Sequence, residues 1–284
     1  LIELVLLLAA LSSVAITVAI VVILVKESWV FFQGVPIQDF LTDTQWTPLF
    51  DDAHYGILPL LSGTLVSSLV GLLIAIPLGT IIALFLSEFA SFRTREIAKP
   101  VLELLAAVPT VVYGYFAFLV VTPLLQKLYP GLPGFNLLSA GLVMGVMIIP
   151  YVSSLSEDAM RAVPMNLREG SYAMGATRFQ TALKVVTPAA FSGIAAAYIL
   201  AVSRAVGETM VVALAAGMQP NFTWSPLEPA ATMTAFIVQV SQGDLPHGSS
   251  GDQSIFAVGL TLFLVTLCFN LLGFWLRRRY REVY

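Results

Sequence analysis

Charge is what this chain has least of: Asp, Glu, Lys and Arg together make up 11% of its 284 residues, against 58% hydrophobic residues. That balance excludes an ordinary water-soluble core. Cysteine is reduced to Cys268, which excludes a disulfide framework and a thiolate metal site. The two histidines, His54 and His247, lie far apart in sequence and form no metal-ligand spacing. A phosphate loop of the type G-x-x-x-x-G-K-[ST] is also missing, so the chain offers no such cradle for ATP.

Long apolar runs are abundant. A helix crosses a bilayer with about 20 consecutive apolar residues, and six stretches meet that length: 2–25, 58–86, 100–126, 137–156, 188–216 and 254–276. The expectation is a polytopic, all-α membrane protein in which 1–284 forms one transmembrane domain of six helices. The first run is too long for a signal peptide and has no small-residue cleavage site before Lys26, so it reads as a retained anchor. A short cytoplasmic N-terminus is expected ahead of Leu1. Lys and Arg accumulate in short cytoplasmic loops. Arg93, Arg95, Lys99, Arg161, Arg168, Arg178, Lys184, Arg277, Arg278, Arg279 and Arg281 fall on one side, and only Lys26 and Lys127 on the other. This places both termini and the 157–187 segment in the cytoplasm, with outer loops at 27–57 and 217–253. The net charge of −3 reflects acids collected outside: Asp39, Asp43, Asp51, Asp52, Glu228, Asp244 and Asp252.

The outer segment 27–57 carries Trp29 and Trp46 among polar residues and reads as a surface loop with interfacial aromatics. The loop 217–253 is rich in Pro, Gly and Ser; its apolar part, 229–242, suits a short helix or re-entrant piece. Pro77, Gly79, Pro109, Gly114, Gly145 and Pro150 punctuate the spans and suit hinges or static kinks, tolerated where neighbours satisfy the freed backbone groups. Ala197, Ala201 and Ala205 give the fifth span a smooth stripe for close packing. Beside that stripe stand Arg204 and Glu208, one helical turn apart. A charge at the bilayer centre costs roughly 2.5–3.5 kcal/mol on insertion scales, so the pair marks either a path for something polar or a salt bridge joining helices. Glu88 and Glu103 lie near Arg93, Arg95 and Lys99 and read as interfacial ion-pair partners. Thr64, Ser67 and Ser68 suit either the path or bonds within their own helix.

The segment 157–187 is too long and too mixed in charge for a passive connector. Asn166 with Glu169, and Thr177 with Gln180, have capping-box spacing, which predicts two short helices separated near Gly175. The first should expose Leu167, Tyr172 and Met174 beside Arg168 and Glu169. The run Glu169-Gly170-Ser171-Tyr172-Ala173-Met174-Gly175, nine residues and then Val185-Val186-Thr187-Pro188 resembles the EAA loop of bacterial ABC-importer permeases. Glu, Gly and Pro match at the family spacing; Gly170, Ser171, Val185 and Thr187 depart from its commoner residues.

The resemblance implies a six-helix ABC-importer permease in which Leu167, Arg168, Glu169, Tyr172, Gly175 and Pro188 belong to a loop docked on a separate ATP-binding subunit. More finely, AAVPTVVYG at 106–114, MNLREGSYAMGATRFQ at 165–180 and SRAVGETM at 203–210 are similar to the C-type permeases of phosphate-specific transport systems. That likeness implies a non-enzymatic subunit of the bacterial inner membrane, with Arg204 and Glu208 as the functional charges of the phosphate path. It implies as partners an A-type permease, two copies of an ATPase that uses ATP and Mg²⁺, an extracytoplasmic phosphate-binding protein and membrane lipid, with no nucleic acid and no cofactor of the chain's own. The same machine for sulfate or molybdate, and a non-transporting scaffold or sensor, stand beside this reading; a passive channel does not account for the docking loop.

Overall fold

The computed structural model describes residues 2–48, 50, 52–244 and 249–279. Leu1, Asp51, His247 and Arg281 lie outside the described residues, as do the side chains of Asp244 and Arg277. Among the described residues the regular elements are helical, apart from one antiparallel bridge between Trp46 and Tyr55. In chain order they are α1 (Ile2–Gly34), α2 (Ile37–Thr42), α3 (Leu58–Leu84), α4 (Phe92–Ala107), α5 (Thr110–Phe116), α6 (Thr122–Leu128) and α7 (Leu137–Arg161). Then follow α8 (Met165–Ala173), α9 (Arg178–Thr181), α10 (Thr187–Ala189), α11 (Phe191–Val206), α12 (Met210–Ala215), α13 (Met233–Gln239) and α14 (Ser250–Arg279). Wider π-helical turns occupy Phe85–Phe89, Ala117–Val121, Ala182–Val186 and Val240–Asp244.

Among the described residues, five stretches are long and apolar enough to cross a membrane: Ile2–Gly34, Leu58–Phe89, Thr110–Leu128, Leu137–Arg161 and Ser250–Leu276. A sixth results if Arg178–Ala189 and Phe191–Val206, which meet at 72°, count as one span. The third and fifth spans therefore differ from the continuous helices expected at 100–126 and 188–216. Pro109 has no N–H and forces Val108 into extended backbone (φ −66°, ψ 130°), which separates the charged α4 from α5. The Tyr113 hydroxyl donates to the Leu105 carbonyl across this break at 2.7 Å. The fifth span bends at Ala190 and stops again at Gly207.

At the centre, α3 packs along α7 through glycines. A Cβ at Gly79 would stand 2.6 Å from Val152, one at Gly141 2.6 Å from Val70, and one at Gly145 2.8 Å from the Gly71 carbonyl. The backbones approach that closely because nothing projects between them. Met144, Met147, Ile148 and Val152 of α7 fill the core with Ala201 and Ala205 of α11 and Val211 of α12. The alanine stripe is thus buried in helix packing, with Ala197, Ala201 and Ala205 at most 3% exposed. Peripheral α1 packs on α14, which in turn packs on α11.

The outer segment differs from the surface loop expected at 27–57. Helix α1 runs on to Gly34, and Trp46, 1% exposed, lies edge-on to Phe40, Tyr55 and Phe236, at centroid distances of 6.4, 6.0 and 4.9 Å. Trp29 stays exposed. Phe236 comes from α13, so the apolar part of the second outer loop folds inward as a buried helix. Its Met233 N–H donates to Thr64 Oγ1 at 3.0 Å, and the rest of that loop caps α7, whose Leu137 and Leu138 N–H groups donate to the Glu228 and Pro226 carbonyls.

Candidate functional site

Glycine begins the first site. Helix α11 ends at Gly207 and α12 restarts at Met210, which leaves Glu208 and Thr209 in a break inside an apolar segment. Irregular backbone at membrane depth must satisfy its polar groups locally. Glu208 does much of this with one carboxylate oxygen, Oε1, which accepts from the N–H groups of Met210 at 3.2 Å and Val211 at 3.4 Å. The Glu208 carbonyl accepts from Thr234 Oγ1 of α13 at 2.8 Å. The other oxygen, Oε2, is 3.8 Å from Arg204 Nη2, close enough for charge attraction and too long for a good hydrogen bond.

Exposure separates the two partners: the Glu208 side chain is 4% exposed and that of Arg204 40%. The guanidinium ends α11, where a cation suits the helix dipole, and its Cζ stands 5.6 Å from the centre of the Tyr151 ring of α7. Tyr151, Leu155, Leu200, Ser203 and Gly207 complete an open recess of about 480 Å³ around it. The arrangement presents a fixed cation with uncommitted donors, in a largely apolar setting where an anion is poorly solvated. Tyr151 has no sequence signal by itself, since its place beside Arg204 depends on how α7 and α11 cross. Thr64 and Ser67 donate to carbonyls of their own helix, Leu60 and Gly63, and all of Thr64, Ser67 and Ser68 are buried.

The second site is the 157–187 loop, expected in the cytoplasm. Its two short helices are α8 and α9, divided at Gly175, whose φ of 82° is the left-handed conformation that glycine tolerates. Thr177 and Gln180 form the reciprocal capping box. Asn166 does not cap α8: Pro164 holds that position, and its fixed φ starts the helix two residues earlier. Pro188 acts on the segment after α9. With no N–H and a ring that crowds the carbonyl four residues back, it widens the helix into the Ala182–Val186 π turn. The Ala182 carbonyl accepts from both the backbone N–H and the hydroxyl of Thr187, five residues on, the latter at 2.8 Å. Thr122-Pro123 repeats the device on the Ala117 carbonyl.

Glu169, Tyr172 and Met174 are exposed, Met174 at 88%. Met165 and Phe179, which the sequence did not single out, add apolar surface to the same loop. Leu167 is half-buried against the cluster of Ala83, Met160, Val163, Val186, Ala190 and Ile194. Arg168 differs from the surface residue expected. It turns inward and pairs with Glu88 at 2.9 Å, because Glu88 and the Met160 and Val163 carbonyls at and just past the end of α7 offer it more than water does.

Glu88 therefore does not pair with Arg93, Arg95 or Lys99. Lys99 binds Glu157 at 2.8 Å and Asp158 at 2.5 Å, and Arg95 lies 3.5 Å from Glu157, a fully buried acid that ties α4 to α7. Glu103 accepts from Ser154 at 3.4 Å.

Residues 75–282 match the family described as the binding-protein-dependent transport system inner membrane component. The chain belongs to this family. Members are transport subunits, and the inner-membrane component is here a multi-pass helical protein. One relative is the probable ABC transporter permease protein YqgH of Bacillus subtilis, 38% identical over 265 residues, 93% of this chain and 85% of that protein. Another is the phosphate transport system permease protein PstC of Mesorhizobium japonicum, 32% identical over 246 residues, 80% of this chain and 74% of that protein. Among solved structures, a bacterial alginate ABC transporter in complex with its alginate-bound periplasmic protein matches 96% of this chain and 94% of that one, at TM-score 0.61 and 17% identity. The methionine transporter MetNI in an inward-facing conformation matches 80% of this chain and 95% of that one, at TM-score 0.60 and 19% identity. These two establish the inner-membrane component's fold as that of ABC-importer permeases.

Proposed function

We propose that the chain is the permease subunit of an ATP-driven phosphate importer. It shares the translocation path with a second, A-type permease, couples through α8 and α9 to two copies of an ATPase, and receives phosphate from an extracytoplasmic binding protein. ATP and Mg²⁺ act in the ATPase, and this chain binds neither. The observation that carries the reading is the half-exposed Arg204 guanidinium in its recess at a break in the membrane segment. Curated phosphate permeases 32% identical over 80% and 88% of this chain support the choice of anion.

A guanidinium is always charged and offers a planar fork of donors that matches an oxyanion edge. Its nearest carboxylate oxygen is too distant for a good hydrogen bond, so an arriving anion meets donors that need not be pulled away first. Glu208 then keeps the cation from standing bare when no anion is present. Rocking of the bundle by the ATPase exposes the recess to each side in turn.

The test is uptake of radiolabelled phosphate by the reconstituted complex, with sulfate and molybdate as competitors. Arg204→Ala should leave assembly intact and abolish uptake. Arg204→Lys keeps charge without the fork and should lose about 10- to 100-fold, the equivalent of a charge-assisted hydrogen bond. Unchanged uptake by Arg204→Ala sinks the proposed role, and stronger competition by sulfate or molybdate reassigns the anion.

A further inference from the structure

We infer that Arg168 and Glu88 form the strut through which movement of the docking helix α8 enters the membrane bundle. The inference rests on reading α8 as the element that meets the ATPase. Arg168 stands next to the exposed Glu169 in sequence, yet its side chain is 11% exposed and that of Glu88 6%. One guanidinium gathers three elements. Nε and Nη2 donate to Glu88 Oε2 and Oε1 at 3.3 and 2.9 Å, while Nη1 and Nη2 donate to the Val163 and Met160 carbonyls at 2.6 and 2.9 Å. The Met160 carbonyl lies in the last turn of α7 and that of Val163 just beyond it, and Glu88 belongs to the π turn that follows α3.

The other attachments of α8 carry no charge. Pro164 and Gly175 bound it as backbone joints, Leu167 packs on its underside, and the Ser171 hydroxyl shares one hydrogen bond with that of Thr181 in α9 at 2.9 Å. The receiving turn, in contrast, is anchored from several directions. Ser87 Oγ donates to Glu88 Oε1 at 2.8 Å, and Arg95 of α4 donates to the Leu86 and Ser87 carbonyls at 2.8 and 3.2 Å. A push or tilt of α8 is therefore delivered to the ends of α3 and α7 together, the two helices that form the central seam. Lysine would keep the charge at 168 but offers no planar fork to span a carboxylate and two carbonyls. Arg168 is thus a positioning residue, which acts on the path through the helices it joins.

The experiment uses the complete complex with its ATPase and binding protein in proteoliposomes, and reads phosphate moved per ATP hydrolysed. Arg168→Lys and Glu88→Gln should still co-purify with the ATPase, while that ratio falls about 5-fold or more, the lower range of usual coupling. A purely structural role would lower transport and hydrolysis together. An unchanged ratio in either assembled variant overturns the strut.

Hydrogen exchange on the wild-type complex is independent of whether the variants assemble. Protection of 85–89 and 165–173 should change together when ATP and loaded binding protein are added, and a change in one segment alone overturns the strut. A wild-type complex that hydrolyses ATP but moves no phosphate defeats the proposed substrate instead, and the exchange measurement still decides the strut.

Discussion

Glu208 holds two jobs with two oxygens: one caps α12 and the other faces Arg204. Replacing it by alanine leaves the Met210 and Val211 N–H groups without their acceptor, and losing a helix cap costs about 0.5–2 kcal/mol. Glu208→Gln retains an oxygen for those donors but not the charge. The glutamine variant should therefore match wild type in thermal unfolding of the solubilised complex and still transport poorly, whereas the alanine variant should lose both. Equal unfolding temperatures for the two variants would contradict the cap. In the outer segment, His54 Nδ1 lies 2.7 Å from Asp43 Oδ2. The hydrogen bond to Asp43 raises the His54 pKa above 6.5. Burial pushes the Asp43 carboxyl up, but the bonds from His54 and Gln45 outweigh it and hold its pKa below 3.8. The His54 contribution is fully present below pH 6.5 and lost as pH rises through its raised folded value; the Asp43 contribution is present above 3.8 and lost as pH falls through its lowered one. Fluorescence of Trp46 should report looser packing of the outer segment as pH rises through the raised His54 value in wild type, and no such step in His54→Asn. The sequence exposed Arg204 and Glu208 as charges in an apolar run, but the capping role depended on a break that hydropathy averages away. Gly207 was its one local sign. Arg168 was beyond reach because its partner is 80 residues distant.

Hydropathy marked most of the long apolar helices because crossing a bilayer asks for a bulk property of about 20 residues. It located their interruptions poorly because these depend on single donors. Pro109 and Pro188 did mark the sites, yet whether a proline ends or widens a helix depends on the donors around it: the Tyr113 hydroxyl takes the Leu105 carbonyl in one case, and Thr187 takes the Ala182 carbonyl in the other. The α3–α7 seam makes a prediction at this scale. A side chain at Gly145 would meet the Gly71 carbonyl at 2.8 Å and Ile74 at 3.0 Å. Overpacking costs about 1–3 kcal/mol, and here the obstruction is backbone. Gly145→Val should reduce folded protein recovered from membranes and its unfolding temperature, while Gly134→Val, where nothing stands within 4 Å, should change neither. Equal behaviour of the two would show that the seam is looser than described.

Across the whole molecule, charge placement was legible and long-range pairing was not. Lys and Arg counted by side led to a cytoplasmic face as an expectation, and the basic loop folds into the two short helices α8 and α9. What the sequence left out is that this face is cross-linked: Glu88 with Arg168, and Glu157 with Lys99 and Arg95, join α3, α4, α7 and α8. The neighbours of α1 have a different kind of consequence. Helix α1 packs chiefly on α14, which starts at Ser250, far along the chain from the end of α1 at Gly34. At translation rates of roughly 5–20 residues per second, α1 waits about 10–45 s before synthesis of its mate begins. During that interval its bare flank is open to chaperones or to a neighbouring chain's finished α14, so exchange of α1 between copies is a hazard set by synthesis order rather than by stability.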